Sequence, residues 1–268
     1  MRHIVVLAIF ASLLLGCGAN STDAHHAPPH RLPWHPSPGT SWQWQLTGGI
    51  DTSFDVQMYD VDLFETPSAT IDALHAAGRV VICYFSAGSH EDWRPDQGEL
   101  PQAALGNGLV DWPGERWLDV RRADVRALMT NRLDHAVAAN CDGVEPDNVD
   151  GHANDNGLGL TYADQLDYNR FLAREAHARG LSVGLKNDVV QVSELVDDFD
   201  WSLTEECHAY GECAELSPFV AAGKAVFHAE YVDASRLDEV CDETVPLGFS
   251  TILKNVELDA WRLPCPAS

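Results

Sequence analysis

Carboxylic side chains recur in this sequence at the points where short apolar segments end. An ionised carboxylate can attack a sugar carbon or activate water, and a protonated carboxyl can give its proton to a leaving oxygen. Two such groups that face one cavity are therefore suited to cleaving a glycosidic bond. The acidic residues at these positions are Asp60, Asp62, Glu145, Asp147, Asp150, Glu205, Glu206 and Glu230.

Two lysines, Lys186 and Lys254, end apolar segments of the same kind. Acidic groups gathered around one cavity repel each other, and the repulsion spreads their pKa values apart unless cations relieve it. Such a spread supplies both the protonated and the ionised carboxyl that glycoside hydrolysis needs. Aromatic side chains near the same segment ends could stack on sugar rings, and these are Trp42, Trp44, Tyr59, Tyr84, Trp93 and Tyr231.

The apolar segments have the length and the β-branched or aromatic content of β-strands. Helical patterns separate several of them, most clearly over residues 123–139 and 161–179, the second of which stops at Gly180. Strands that alternate with helices predict an α/β fold, a single (β/α)8 TIM barrel. A doubly wound open sheet is the alternative, but no Gly-x-Gly-x-x-Gly follows the first strand. The eight predicted strands cover residues 42–46, 56–61, 80–85, 143–147, 181–185, 201–204, 225–229 and 249–253.

Period-two alternation predicts which side chains of the fourth strand face the barrel interior. Val144 and Pro146 are expected to face the helices, so Glu145 and Asp147 should face inward. In a barrel, the carboxyl ends of all strands meet at one face, and function lies there. The carboxyl groups of the other strands should therefore converge on this one.

The same alternation is less decisive at the sixth strand. We expect Trp201 and Leu203 to face outward, which would point Glu206 inward and Glu205 outward. Strand ends often bulge, however, and a bulge reverses the order. Both glutamates therefore stay candidates.

Composition limits the class of partner. The chain has 268 residues and a formal net charge of −24, from 41 Asp and Glu against 17 Lys and Arg. Such a surface repels nucleic-acid phosphates and anionic lipid headgroups and attracts a cationic substrate. Solubility is the alternative use of this charge. A 45% hydrophobic and 22% charged composition is that of a globular protein, not of a disordered or multi-span membrane protein.

The N-terminal residues have the features of an export signal. Arg2 and His3 precede a short apolar run that ends at Gly16 and Cys17. Residues 1–16 are predicted to be a lipoprotein-type signal peptide, with a lipid on Cys17 as the only membrane attachment. Residues 17–40 are expected to form a Pro- and His-rich tether, and residues 41–268 the catalytic domain. The protein should be exported, and either anchored to the cell envelope or secreted.

The remaining cysteines are even in number, which in an exported protein favours disulfides. A local pair and two longer connections form a plausible set, although other pairings are open. The expected pairs are Cys83–Cys141, Cys207–Cys213 and Cys241–Cys265. A zinc site is the competing interpretation, but no Cys-x-x-Cys or His-x-x-x-His spacing supports it.

Calcium binding is a second use for the acidic segments. Residues 147–151 and 154–157 offer oxygen ligands, although neither matches the spacing of an EF-hand loop. Serine hydrolase chemistry has no Gly-x-Ser-x-Gly to support it. We expect no metal and no cofactor.

Several of these segments together resemble glycoside hydrolase family 114, the endo-α-1,4-polygalactosaminidase family. The specific motifs are Glu-Pro-Asp-Asn-Val-Asp at 145–150 and Glu-Glu-Cys at 205–207, and Tyr-Phe-Ser-Ala-Gly at 84–88 agrees with them. Residues 42–46, 59–62 and 185–187 complete a similarity that spans 41–264. The resemblance implies a (β/α)8 barrel that cleaves α-1,4-linked galactosamine polymers internally.

The resemblance also implies a catalytic pair, an Asp on strand four and a Glu on strand six. These roles fall on Asp147, as nucleophile or base, and on Glu205 or Glu206 as general acid, with Glu205 favoured by the family pattern. The expected partner is a cationic amino-sugar polysaccharide bound by a monomer. Residues expected to bind it are Asp60, Tyr84, Glu145, Asp150, Lys186, Asn187, Glu230, Tyr231 and Lys254. The alternatives are a hydrolase of another α-linked amino-sugar polymer and a non-catalytic carbohydrate-binding lipoprotein on an inactive barrel.

Overall fold

Eight parallel strands form the central sheet of the protein, whose computed structural model describes residues 33–266. The predicted signal peptide and Cys17 lie outside the described residues. In chain order, the strands are β1 (Trp42–Gln45), β2 (Met58–Asp62), β3 (Val80–Ser86), β4 (Ser89–Glu91), β5 (Leu105–Gly108), β6 (Glu115–Leu118), β7 (Gly143–Asp147), β8 (Ser182–Lys186), β9 (Trp201–Glu205), β10 (Val226–Glu230), β11 (Ser250–Lys254) and β12 (Arg262–Pro264). The sheet order β1-β2-β3-β7-β8-β9-β10-β11-β12 is that of a barrel, which confirms the predicted (β/α)8 fold.

Among the described residues, α-helices follow six of the eight barrel strands, and none follows β1 or β11. They are α1 (Ser68–Ala76), α2 (Ala123–Ala138), α3 (Tyr162–Ala178), α4 (Val192–Leu195), α5 (Cys207–Tyr210), α6 (Ser217–Ala221) and α7 (Leu237–Thr244). Helix α3 begins with a capping box in which the Thr161 hydroxyl accepts from the Asp164 amide and the Asp164 carboxylate accepts from the Thr161 amide. None of the described helices is long and apolar enough to cross a membrane.

The C-terminal segment closes the seam between the first and last barrel strands. Strand β12 turns back antiparallel against β11. Just beyond β1, the amides of Leu46 and Thr47 donate to the carbonyl of Leu258 at 2.9 and 3.3 Å. The Trp42 indole donates to the carbonyl of Ser250 on β11 at 2.8 Å. The barrel is therefore completed by residues that follow its last parallel strand.

The barrel interior is filled mainly by large aromatic rings. Trp42, Trp44, Trp201, Leu203 and Phe227 belong to one buried cluster inside the sheet, while a larger cluster lies between the sheet and the helices. The expectation that Trp201 and Leu203 face outward is therefore wrong. Strands covered on both faces carry apolar side chains on both sides, so their pattern does not reveal which side is inside.

A small antiparallel sheet, in the order β4-β6-β5, interrupts the barrel between β3 and α2. The sequence analysis did not predict it. It sits against the catalytic end of the barrel, because the Leu118 amide donates to the Gly88 carbonyl just after β3. A side chain at Gly88 would lie 1.6 Å from the carbonyl oxygen of Asn148, so only glycine permits this approach.

The described part of the predicted tether packs on the barrel. The Ala225 amide donates to the Pro36 carbonyl at 3.0 Å, and His35 lies 3.0 Å from Asp200. Trp34 packs against the interior cluster. Residues 33–40 therefore belong to the packed domain, and the solvated tether expected for 17–40 does not extend through them. The rings of Trp34 and Pro36 supply apolar surface for this packing, which the Pro-rich composition of the segment did not lead us to expect.

All three expected disulfides are present, Cys83–Cys141, Cys207–Cys213 and Cys241–Cys265. His228 lies close to the second of them, and its ring and the two sulfurs are the one grouping with metal-ligand geometry in residues 33–266. Sulfurs joined to each other are not the thiolates that zinc requires. The disulfide interpretation is thus confirmed over the zinc one.

Candidate active site

One buried ammonium group joins three carboxylates at the carboxyl ends of the strands. The Lys186 nitrogen lies 2.8 Å from Glu145, 3.2 Å from Asp147 and 3.2 Å from Glu205. It also lies 4.7 Å from the centre of the Trp44 indole ring. Burial alone would lower the pKa of Lys186, but the three carboxylates raise it well above its usual value. The three carboxylates therefore favour the charged form of the lysine.

Asp147, at the end of β7, is held by three donors. The Tyr84 hydroxyl donates to one carboxylate oxygen at 3.1 Å, and the Asn148 amide donates to the other at 2.7 Å. Lys186 contacts that second oxygen as well. The side chain remains 18% exposed, so a substrate can reach it. A carboxylate that is fixed by donors and still accessible has the features of a nucleophile.

Glu205, at the end of β9, is bracketed by two neighbouring strand ends. The Tyr231 hydroxyl donates to one of its oxygens, and the Asn187 side-chain amide donates to the other at 3.3 Å. The Asn187 side-chain oxygen accepts from the Glu205 backbone amide at 2.9 Å. Burial, followed by the Glu205 charge, raises the pKa of Tyr231 well above its usual value, so the phenol stays a donor. The Glu205 side chain is 25% exposed.

Alternation along β9 places Glu205, not Glu206, on the side of the barrel interior. Trp201 and Leu203 are inside, and Glu205 follows them with the same parity. Glu206 adopts a left-handed backbone conformation with φ of 57°, which turns the chain into α5. Burial, then the charges of Glu230 and Glu205, raises the pKa of Glu206. The geometry thus brings Glu205 to Asp147 through their shared contact with Lys186.

Two carboxyl groups lie beneath this centre and are completely buried. Asp60 on β2 lies close to Glu145, and neither Asp60 oxygen has a hydrogen-bond partner among the described residues. Burial, then the Glu145 charge, raises the pKa of Asp60 well above its usual value. Burial also raises the pKa of Glu145 to about 7, although Lys186 opposes the shift. Burial thus favours the protonated form of both carboxyl groups below the lysine.

Two other residues with predicted substrate contacts differ in their surroundings. Asp150 is partly exposed beside the site, and burial and the Asp147 charge raise its pKa to about 6. Glu230 is fully buried, and its carboxylate accepts from the Ala209 amide at 3.0 Å and lies 2.9 Å from His228. One Glu230 oxygen thus holds helix α5, and the other faces His228 two residues earlier on β10.

Lys254, at the end of β11, organises the last loop. Its ammonium group donates to the carbonyls of Asp259 and Trp261, both at 2.6 Å. Burial lowers the pKa of Lys254 to about 8. The lysine therefore shapes the rim where the C-terminal segment closes the barrel.

Only some of the predicted stacking aromatics can reach a ligand. Trp42, Trp44 and Tyr59 are fully buried, whereas Trp93 is half exposed. The buried indoles of the first strand serve the barrel interior, and Trp44 supports Lys186 from below. Strand β1 is covered on both faces, so its aromatic pattern did not distinguish interior from mouth.

A hydrogen-bonded chain that the sequence analysis missed supports Asp147 from the side of the small sheet. Glu115 on β6 accepts from the Ser89 hydroxyl at 2.5 Å, and Ser89 lies 2.6 Å from Ser86. Ser86 accepts from the Asn148 side chain at 2.9 Å. Burial raises the pKa of Glu115 to about 7. The Tyr-Phe-Ser-Ala-Gly motif at 84–88 indicated that Ser86 lies near the site, but nothing in the sequence around Glu115 did so.

The segment proposed as a calcium loop is occupied by its own hydrogen bonds. The Asn156 side chain donates to the Gly151 carbonyl at 2.8 Å and accepts from the Leu158 amide at 2.7 Å. These are the bonds of an ordinary surface loop that holds the start of α3.

Comparison with known proteins gives consistent matches. The model of glycoside-hydrolase family GH114 matches residues 23–268. Ega3 of Aspergillus fumigatus, solved in complex with galactosamine, is 46% identical, with a TM-score of 0.85, over 87% of this chain and 98% of Ega3. The glycoside hydrolase domain of PelA from Pseudomonas aeruginosa shares the fold, with 13% identity and a TM-score of 0.65, over 85% of this chain and 98% of that one. A search among curated proteins found no match.

Proposed function

This chain belongs to glycoside hydrolase family GH114, and from that membership we propose that it cleaves α-1,4-linked galactosamine polysaccharide at internal bonds. The observation that carries the proposal is the pair Asp147 and Glu205, held on either side of Lys186 at the barrel mouth. The galactosamine bound by Ega3, a 46% identical protein, supports this class of substrate. The net charge of −24 supports a substrate that carries ammonium groups.

Asp147 acts as the nucleophile and Glu205 as the general acid. Glu205 gives a proton to the glycosidic oxygen while Asp147 attacks the anomeric carbon, and water then releases the sugar with Glu205 as base. Lys186 is closer to Glu145, at 2.8 Å, than to Glu205, at 3.2 Å. Glu205 can therefore take up a proton without leaving the lysine unpaired.

The spacing of the carboxylates favours retention of anomeric configuration. One oxygen of Asp147 and one of Glu205 each lie 3.2 Å from the same nitrogen, so the two are no farther apart than twice that distance. Retaining enzymes hold the two groups about 5–5.5 Å apart, and inverting enzymes hold them about 6.5–9.5 Å apart. The first product seen by proton NMR should be the α-anomer, and an initial β-anomer would exclude Asp147 as nucleophile.

Reducing-end release from deacetylated α-1,4-galactosamine polymer tests the function. Wild type should shorten the polymer internally, and Asp147→Asn should lose nearly all turnover because the amide cannot attack. Asp134→Asn is the matched control, since Asp134 is an exposed residue of α2 that pairs with Arg179. A folded wild type that leaves this polymer intact but cleaves another α-linked amino-sugar polymer would contradict the assigned substrate.

The expected cellular location is outside the cytoplasm, on a lipid attached to Cys17. Three disulfides support an oxidising compartment. Cys17→Ser should move the protein from the membrane fraction to the soluble fraction without changing polymer cleavage, because Cys17 precedes the described domain. The domain is expected to act as a monomer.

A further inference from the structure

The exposed apolar side chains of the described residues are gathered at one end of the barrel. Only Val137, near the C-terminal end of α2, lies at the opposite end. All the others follow the carboxyl ends of barrel strands, in loops or in the first turns after them. The set is Trp93, Val110, Trp112, Val137, Tyr162, Val190, Tyr210, Val256 and Trp261. Single exposed apolar residues need no explanation, but a concentration around the catalytic face indicates a binding surface.

Two of these residues lie on neighbouring segments of the small sheet that interrupts the barrel. Trp93 is 52% exposed and Trp112 is 51% exposed. The Asp92 amide donates to the Gly114 carbonyl at 3.1 Å, and the Glu115 amide donates to the Trp112 carbonyl at 3.2 Å. The Trp93 ring lies over Gly114, where an added Cβ would come within 3.0 Å of it. The two indoles are therefore carried by two segments of the small sheet, one after β4 and one between β5 and β6, whose backbones are joined by a hydrogen bond.

A cavity of about 410 Å³ opens beside these two segments. Asp92, Gly114, Glu115, Arg116 and His90 are among the residues that line it. Its size is within the range of small-molecule sites. It offers the Asp92 carboxylate for an ammonium group, and a guanidinium and an imidazole for hydroxyl groups. This is the chemistry of one amino-sugar unit.

The small sheet joins the cavity to the catalytic centre. Glu115 is among the residues that line the cavity, and its carboxylate begins the hydrogen-bonded chain through Ser89 and Ser86 to Asn148 on the face of β6 opposite to Arg116. The cavity and the two indoles therefore belong to the sheet that adjoins Asp147. Sugar units stack on exposed indoles through their apolar faces, as aromatic rings stack on each other.

We propose that Trp93, Trp112 and the cavity beside them form a distal subsite that binds amino-sugar units of the polymer away from the bond that is cleaved. The proposal rests on the proposed function, because the occupant is a further stretch of the same substrate. The subsite makes the enzyme favour long chains, since a short oligosaccharide in the catalytic centre does not reach it.

Trp93→Ala and Trp112→Ala test this subsite. Each should raise KM for the long polymer by about 2- to 10-fold, the factor that corresponds to the loss of one aromatic contact. The increase for a short galactosamine oligosaccharide should be smaller. Val137→Ala, the exposed apolar residue at the other end of the barrel, is the control and should leave both values unchanged. Trp112→Phe should recover part of the loss. Equal increases for both substrates, or none, would overturn the subsite.

Binding separates failure of the subsite from failure of the proposed function. Turnover by wild type tests the function, whereas retention of Asp147→Asn on immobilised polymer does not need turnover. Adding Trp93→Ala or Trp112→Ala to Asp147→Asn should weaken retention, and the weakening should persist at high salt because stacking is not screened. Unchanged retention, or no retention by Asp147→Asn itself, would contradict the subsite.

Discussion

Replacing Lys186 by methionine should be the most damaging single change inside the barrel. The substitution keeps the length of the side chain but removes the ammonium group that contacts Glu145, Asp147 and Glu205. Glu145 is completely buried, so its charge would have no compensating partner on that side. Asp147 and Glu205 are partly exposed and can recover water instead.

The loss of stability in Lys186→Met should come mainly from Glu145, because it is the one of the three carboxylates that is completely buried. Removing one partner of a buried ion pair costs about 3–5 kcal/mol. The cation–π contact with Trp44 adds only a fraction of this, since a methionine sulfur also packs well on an aromatic ring. We therefore expect Lys186→Met to lose about 3–5 kcal/mol of unfolding free energy at pH 7.5.

The loss should shrink in mild acid, and the sign can be worked out. The pKa of Glu145 is already raised to about 7 in the folded protein, and removal of the lysine raises it further. A carboxyl with a raised folded pKa binds a proton in the folded state that the unfolded state releases, so stability increases as pH falls from above 7 toward its usual pKa. The variant should therefore regain stability at pH 5.

Urea unfolding at pH 7.5 and pH 5 measures this effect. Adding Glu145→Gln to Lys186→Met should restore part of the loss, because the stranded charge is gone. Lys254→Met is the matched control: Lys254 is also buried, but it binds two backbone carbonyls, so its loss should not recover in acid. A loss below about 1 kcal/mol for Lys186→Met at pH 7.5, or no recovery with Glu145→Gln, would refute the reasoning.

Three further outcomes are expected. The wild type should melt at a higher temperature at pH 5 than at pH 7.5, because burial raises the pKa of several carboxyls; a lower melting temperature at pH 5 would oppose this. Gly184→Ala should lower the melting temperature, since its Cβ would lie 2.2 Å from the ring of Trp201, whereas Gly49→Ala, with nothing within 4 Å, should not. Replacing Cys83 and Cys141 by alanine should cost about 2–5 kcal/mol in urea unfolding, and an unchanged midpoint would show that their link does not constrain the chain.

The sequence predicted the barrel and the inward face of β7, but it did not predict the inward face of β9. The reason is the different side-chain pattern of the two strands. On β7, Val144 and Pro146 contrast clearly with Glu145 and Asp147, so alternation identified the inward face. On β9, the apolar residues Trp201 and Leu203 face the barrel interior, although the alternation argument predicted that they face the helices. In a parallel sheet covered on both faces, hydrophobicity marks burial but not side.

Other parts could not be predicted because their function depends on contacts distant in sequence. Glu230 has the position of a site residue, yet its oxygens bind Ala209 and His228. Glu115 lies in a four-residue strand without an alternating pattern, and only the folded chain brings it to Ser89. The contact of Trp34 with the interior cluster likewise has no local signal.

The seam of the barrel sets the order in which this fold can be completed during synthesis. Leu46 and Thr47 leave the ribosome before the seven later barrel strands, but their acceptor, the Leu258 carbonyl, follows the last of those strands. Until then the first strand presents an open edge that can pair with another chain. Chains that lack this segment can therefore aggregate through the open edge. Because contacts between residues distant in sequence form slowly, we also expect closure of the barrel to slow folding.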